Sequence, residues 1–170
     1  MNARPVPGDY APFYHSYVER VEGENILDIL KKNKEDGLAL LQSLSHDQWS
    51  YRYEEGKWAI AEVVLHIIDA ERVFAYRAMR ISRGDQTPLP GFDQDFYVPN
   101  SAALSRTPTS LIEEYEAVKN ASIQLFQGLT QEMWSNSGTA SDNPVSVLAL
   151  AYIMVGHDMH HMKIMRERYL

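Results

Sequence analysis

The chain has 170 residues, 45% of them hydrophobic, and a formal net charge of −7 with histidine neutral. That length suits one domain with a substantial core, and the lack of a strongly basic stretch argues against nucleic acid as a partner. There is no cysteine, which excludes disulfides, thiolate ligands and a cysteine nucleophile and fits a cytoplasmic setting; no apolar run reaches membrane-spanning length, and no signal peptide is expected.

Residues 1–9, with Pro5 and Pro7, read as a loose arm, and the aromatic-rich stretch 10–21 as a short helix laid on the body. The first long helix is predicted from about Glu24 to Leu44, with Ile26, Ile29, Leu30, Leu40, Leu41 and Leu44 as its apolar stripe and Asn33 and Gly37 interrupting it. Residues 45–57 break the period, and Ser45 is placed to cap a short turn through Gln48. The second helix is expected from about Trp58 to Arg83, stopping at Gly84. Its apolar column of Ala59, Val63, Ala70 and Val73 includes His66, which therefore points inward.

Residues 85–107, with Pro88, Pro90, Gly91 and Pro99, read as a connector without helical period. A segment of that length can return the chain to the end where the second helix began. The third helix should start near Thr109 or Ser110 and end at Gly128, with Leu111, Tyr115, Val118, Ser122 and Leu125 on its inner face. Residues 129–144 are polar and turn-rich, and the fourth helix is expected from Val145 to Tyr169, with Pro144 at its start. A faint repeat, Leu-hydroxyl-x-acid-x-Trp-Ser, occurs at 44–50 and 129–135. The predicted fold is an all-α four-helix bundle in one domain spanning 1–170, in up-down-down-up order with a long crossover between the second and third helices.

His157 and His161 are four residues apart on the apolar face of the last helix, so their rings lie one turn above each other. With the second and fourth helices antiparallel, His66 falls at the same depth, about 12 Å below one end at 1.5 Å per residue. Three imidazoles with an open position suit a divalent metal such as zinc or nickel. His160, three residues from His157, is the rival of His161 for the third place. Glu62, Asp69 and Asp158 are candidates to orient the rings, while His15 and His46 fall outside the long helices and are expected at the surface.

Gly56-Lys57-Trp58 with Glu62 to Arg72, Thr87 to Asp95, and Gly156-His157-Asp158-Met159-His160-His161 resemble the DinB-like family of four-helix metalloproteins, from about residue 24 to the end. The resemblance implies the up-down-down-up bundle and a metal held by one histidine of the second helix and an H-x3-H pair of the fourth, which here are His66, His157 and His161. It also implies relatives that use bacillithiol or mycothiol as a low-molecular-weight thiol. Three functions remain open on the residues. One is a transferase whose metal activates an external thiol. Another is a hydrolase activating water, with Glu62 or Asp158 as base, and the third is a metal-binding stress-response protein without catalysis. A small-molecule substrate is expected, with Phe92, Asp93, Gln94, Asp95, Phe96 and Tyr97 forming a pocket wall. A homodimer is expected from the aromatic residues Tyr10, Phe13, Tyr14, Tyr17, Phe92, Phe96 and Tyr97.

Overall fold

Four long helices carry the architecture: α2 (Ile26–Ser43), α3 (Ile60–Ser82), α5 (Pro108–Gln127) and α7 (Val147–Ile164). Three short ones accompany them: α1 (His15–Arg20), α4 (Gln94–Tyr97) and α6 (Gln131–Ser135). The computed structural model describes residues 4–23 and 25–170. The first three residues of the expected arm, and Glu24 as the expected start of the first long helix, lie outside them.

Each long helix begins where a side chain satisfies its free N–H groups. Asn25 Oδ1 accepts from the Leu27 N–H at 3.1 Å, and Thr107 Oγ1 accepts from the Ser110 N–H at 3.2 Å. Glu62 turns back to accept from the Ala59 N–H at 2.8 Å, and Ser146 Oγ accepts from the Ala149 N–H at 3.1 Å. The third long helix thus starts at Pro108, slightly earlier than Thr109 or Ser110, because Thr107 caps it and proline fits its first position.

Packing fixes the direction of each helix. One cluster joins Leu40 and Leu41 at the end of α2, the first half of α3, Leu111 and Tyr115 at the start of α5, and Met162 and Met165 at the end of α7. The other joins Ile26 and Leu30, the second half of α3, Ile123 and Phe126, and the start of α7. Hence α2 and α7 run up while α3 and α5 run down. Helix α3 packs on α5 and α7, and α2 packs on the same two, so α2 and α3, although consecutive, are diagonal. The connector climbs along α3: Leu89 is buried in the lower cluster and Ala103 in the upper one.

Both copies of the repeated motif form capped turns that bury a tryptophan. Residues 46–50 place Trp49 in the upper cluster, and α6 places Trp134 in the lower one, stacked on Phe126 at 5.3 Å between centroids. The bundle is sealed at each end by the same device.

Several expectations need correction. Residues 4–9 are tied down rather than loose: the Arg4 guanidinium donates to the Val21 and Val18 carbonyls at 2.6 and 3.1 Å. Residues 137–146 form an antiparallel hairpin, β1 (Ser137–Ala140) and β2 (Asn143–Ser146), so Pro144 lies in a strand opposite Thr139 and α7 begins at Val147. The connector is not wholly irregular, since it contains α4. Past Ile164 the helix loosens into a π turn over Met165–Tyr169, which lets the Tyr169 hydroxyl donate to the Trp58 carbonyl at 2.8 Å. Of the aromatics expected outside, Tyr10 is buried, and Phe13, Phe96 and Tyr97 are exposed.

At mid-height the core is ionic. Lys119 of α5 pairs with Asp158 of α7 and, at 2.6 Å, with Glu71 of α3. Its ammonium also donates to Asn33 Oδ1 of α2 at 3.0 Å. The Tyr115 hydroxyl donates to Asp158 Oδ2 at 2.8 Å. Gly37 makes room for that hydroxyl, because a Cβ there would overlap it. Burial pulls the Lys119 pKa down, but the two carboxylates outweigh it and hold the ammonium charged; burial pushes Glu71 up against the pull of Lys119. Removing the cation would leave two buried carboxylates facing each other. Lys119→Met should therefore destabilise the fold by about 3–5 kcal/mol in urea unfolding; a loss under about 1 kcal/mol would show that the cluster does not hold the bundle.

Candidate metal centre

His66 lies two turns into α3, and His157 and His161 lie on successive turns of α7, on the face packed against α3. The antiparallel pairing brings them to one level. His66 Nε2 is 3.0 Å from His157 Nε2, and His161 Nε2 is 3.2 Å from His157 Nε2. His66 and His157 are buried, and His161 is partly exposed.

These nitrogens fit a metal. Three ligands about 2.0–2.1 Å from one zinc-sized ion stand roughly 3.3–3.4 Å apart in tetrahedral geometry, so the two spacings about His157 need open by only a few tenths of an ångström to hold one. Burial lowers the His66 pKa to about 4 and the His161 pKa to about 3, and lowers that of His157 as well, with the neighbouring imidazoles adding to the effect at His157 and His161. All three rings are therefore neutral at pH 7, and each offers a lone pair. Among the described residues these three form the one group of histidine, aspartate or glutamate side chains close enough to share an ion. His160 turns aside, with its ring against Tyr17 at 5.4 Å. His15 and His46 are exposed, as expected.

Aromatic rings frame the imidazoles. Trp58 lies 5.1 Å from His66, Tyr17 is edge-on to His157 at 5.5 Å, and Phe74 is edge-on to His157 at 5.9 Å. Helix α1 brings Tyr17 in because Gly156 lets its backbone come close: a Cβ at 156 would overlap the Tyr17 carbonyl. A cleft of about 530 Å³ opens over the three histidines. Its walls are Phe13, Tyr14, Tyr17, Trp58, Phe74 and Phe92, with Gln94 and Ser141 as the non-aromatic members.

Of the six residues expected in the pocket wall, Phe92 and Gln94 line the cleft, whereas Asp93, Asp95, Phe96 and Tyr97 lie outside its lining. Phe13, Tyr14 and Tyr17 of the N-terminal segment, Trp58 before α3, Phe74 of α3 and Ser141 of the hairpin supply the rest, and of these origins the hairpin was not visible in the helical pattern. Ser141 and Asp142 form the two-residue hairpin turn with φ of 51° and 60°. Such a turn usually takes asparagine or glycine. Ser141 is held there by Arg77, whose Nη2 donates to Ser141 Oγ at 3.0 Å and to the Pro90 carbonyl at 2.7 Å.

The residues expected to orient the rings do other work. Glu62 caps α3 and pairs with Arg52 at 2.5 Å, Asp69 pairs with Arg72 at 3.5 Å, and Asp158 belongs to the ionic core. Asp158 still bears on the site: its ties to Lys119 and Tyr115 of α5 fix the rotation of the helix that presents His157. Sequence reasoning missed Lys119 and Glu71. The available signal was the polar interruption of the α2 stripe at Asn33 and Gly37.

Fold and site together define an up-down-down-up four-helix bundle with a buried cluster of three imidazoles able to hold one metal ion. The sequence profile of the DinB superfamily matches residues 29–165, and the chain belongs to that superfamily. A protein of Oceanobacillus iheyensis named as a candidate metal-dependent hydrolase is 27% identical over 124 residues, covering 72% of this chain and 70% of its own. Among solved structures, YfiT from Bacillus subtilis is described as a probable metal-dependent hydrolase with an unusual four-helix bundle topology. It superposes with a TM-score of 0.73 at 15% identity, over 94% of each chain. A mycothiol-dependent maleylpyruvate isomerase matches with a TM-score of 0.69 at 11% identity, over 81% of this chain and 58% of its own. At these identities the two structures speak for the fold.

His66→Ala should abolish stoichiometric zinc or nickel measured by plasma mass spectrometry while far-ultraviolet circular dichroism stays near that of the parent. His160→Ala should keep the full metal content. Loss of metal in the second variant and not in the first would reverse the ligand assignment.

Proposed function

We propose that this protein is a metal-dependent enzyme that uses its three-histidine centre to activate an external low-molecular-weight thiol toward an electrophilic small molecule. His66, His157 and His161 would hold the ion, with zinc or nickel best suited to an imidazole set. A divalent ion there would lower the pKa of a thiol placed on it, and three neutral ligands leave its charge undiminished.

The observation that carries this reading is that, among the described residues, those lining the cleft include no carboxylate or amine. An ion on three imidazoles can itself lower the pKa of a bound water, but hydrolysis then draws on an acid to protonate its leaving group. Glu62 is committed to the Ala59 N–H and Arg52, and Asp158 to Lys119 and Tyr115. A thiolate that displaces a good leaving group needs no such acid, and its own proton leaves for solvent once the ion has lowered its pKa. With no cysteine in the chain, that thiol comes from outside. Trp58 packs tilted against His66 and Tyr17 edge-on against His157, which limits how far those rings can swing and preorganises the ligand set.

Metal-dependent hydrolysis is the second reading, favoured by the descriptions of the Oceanobacillus protein and of YfiT. Cobalt-loaded protein separates the two. Adding a small thiol should produce a saturable near-ultraviolet charge-transfer band that is absent in His66→Ala. If no thiol perturbs the cobalt, and the protein instead cleaves a p-nitrophenyl ester in a reaction lost in His66→Ala, hydrolysis replaces thiol activation.

A further inference from the structure

We infer that the cleft over the three imidazoles selects a neutral, aromatic or aliphatic group as the body of its ligand and rejects a polyanionic one. This rests on the metal-centre reading above and adds the chemical class the site takes. The first observation is composition: six aromatic rings and two uncharged polar side chains line the cleft, with no arginine, lysine or histidine beyond the three at its base. A ligand carrying two carboxylates could set one on the ion. The second would lose its hydration without gaining a cation, a cost that burial of an unpaired charge always carries.

The second observation concerns two cations beside the wall, Arg77 and Arg52, which are already engaged. Arg77 stands behind the wall with its guanidinium on the Pro90 carbonyl and Ser141 Oγ, at 2.7 and 3.0 Å. Arg52 donates to the Lys57 carbonyl at 2.7 Å and pairs with Glu62 at 2.5 Å. Neither is among the lining residues. The third is size: about 530 Å³ is within the usual range for a small-molecule site and leaves room for a ring-bearing group beside the metal.

Two thiols of opposite character test the inference. Benzyl mercaptan and mercaptosuccinate would be titrated by calorimetry into cobalt-loaded and metal-free protein. Benzyl mercaptan should bind at least ten-fold more tightly in the cobalt form and keep its advantage in the metal-free form. The double variant Phe13→Ala/Phe92→Ala should narrow the gap to under three-fold, and Gln94→Arg should tighten mercaptosuccinate several-fold. Equal or tighter binding of mercaptosuccinate by the parent protein in both forms would overturn the inference and show that the Arg77 charge reaches the cleft. Failure of cobalt to bind, or a cobalt spectrum unchanged in His66→Ala, would instead refute the metal reading. The order of the two affinities in metal-free protein would then still decide the class of ligand.

Discussion

The structure depends on one buried ion cluster. Lys119, on α5, meets Glu71 of α3, Asp158 of α7 and Asn33 of α2, so a single ammonium touches a side chain from each of the other long helices. Apolar packing alone would let helices slide or rotate against each other at little cost, since leucine and isoleucine surfaces are not directional. A charged hydrogen-bonded group is directional, and breaking it in the core leaves an uncompensated charge. Tyr115 adds a second tie to Asp158 through the space that Gly37 provides. The arrangement fixes the rotation of α7 at the residue next to His157.

From that constraint the site follows. About a quarter turn around α7 from Asp158, His157 and His161 meet His66 of α3, with Nε2 atoms 3.0 and 3.2 Å from that of His157. Depth is set by the ends of the bundle. Trp49 and Trp134 close the two ends with the same short capped turn, which limits axial sliding of the two helical hairpins. The outer parts are less regular: α1, the first residues of the crossover and the β-hairpin converge on one edge and build the aromatic cleft. The bundle therefore holds the metal ligands on rigid helices, while connecting segments supply most of what a substrate would touch.

Much of this was legible in the chain. Helical periodicity marked α2, α3, α5 and α7 to within a few residues, and the i, i+4 histidines with one inward histidine elsewhere named the three residues that meet. What escaped has physical causes. The hairpin at 137–146 lacks an Asn-Gly or Asp-Gly turn and carries a proline in a strand, so it read as loop. Helix α7 is buried on nearly every side between Val147 and Asp158, so the single apolar face expected for it is only one of several that the core covers. Lys119 reads as a solvated charge in any one-dimensional view, because only the fold puts two carboxylates opposite it. Asp158 and Glu62 were seen as acids near histidines, but spacing along a helix does not say which neighbour an acid will choose.

The central claim is that His66, His157 and His161 hold one divalent ion with a position left open for a thiol. X-ray absorption at the metal edge of the loaded protein tests it most directly. The account predicts three imidazole nitrogens at about 2.0–2.1 Å, and, on adding a thiol, a sulfur neighbour near ~2.3 Å that is absent beforehand. A first shell with fewer than three imidazoles would contradict the site, and an unchanged shell in the presence of saturating thiol would contradict the chemistry assigned to it.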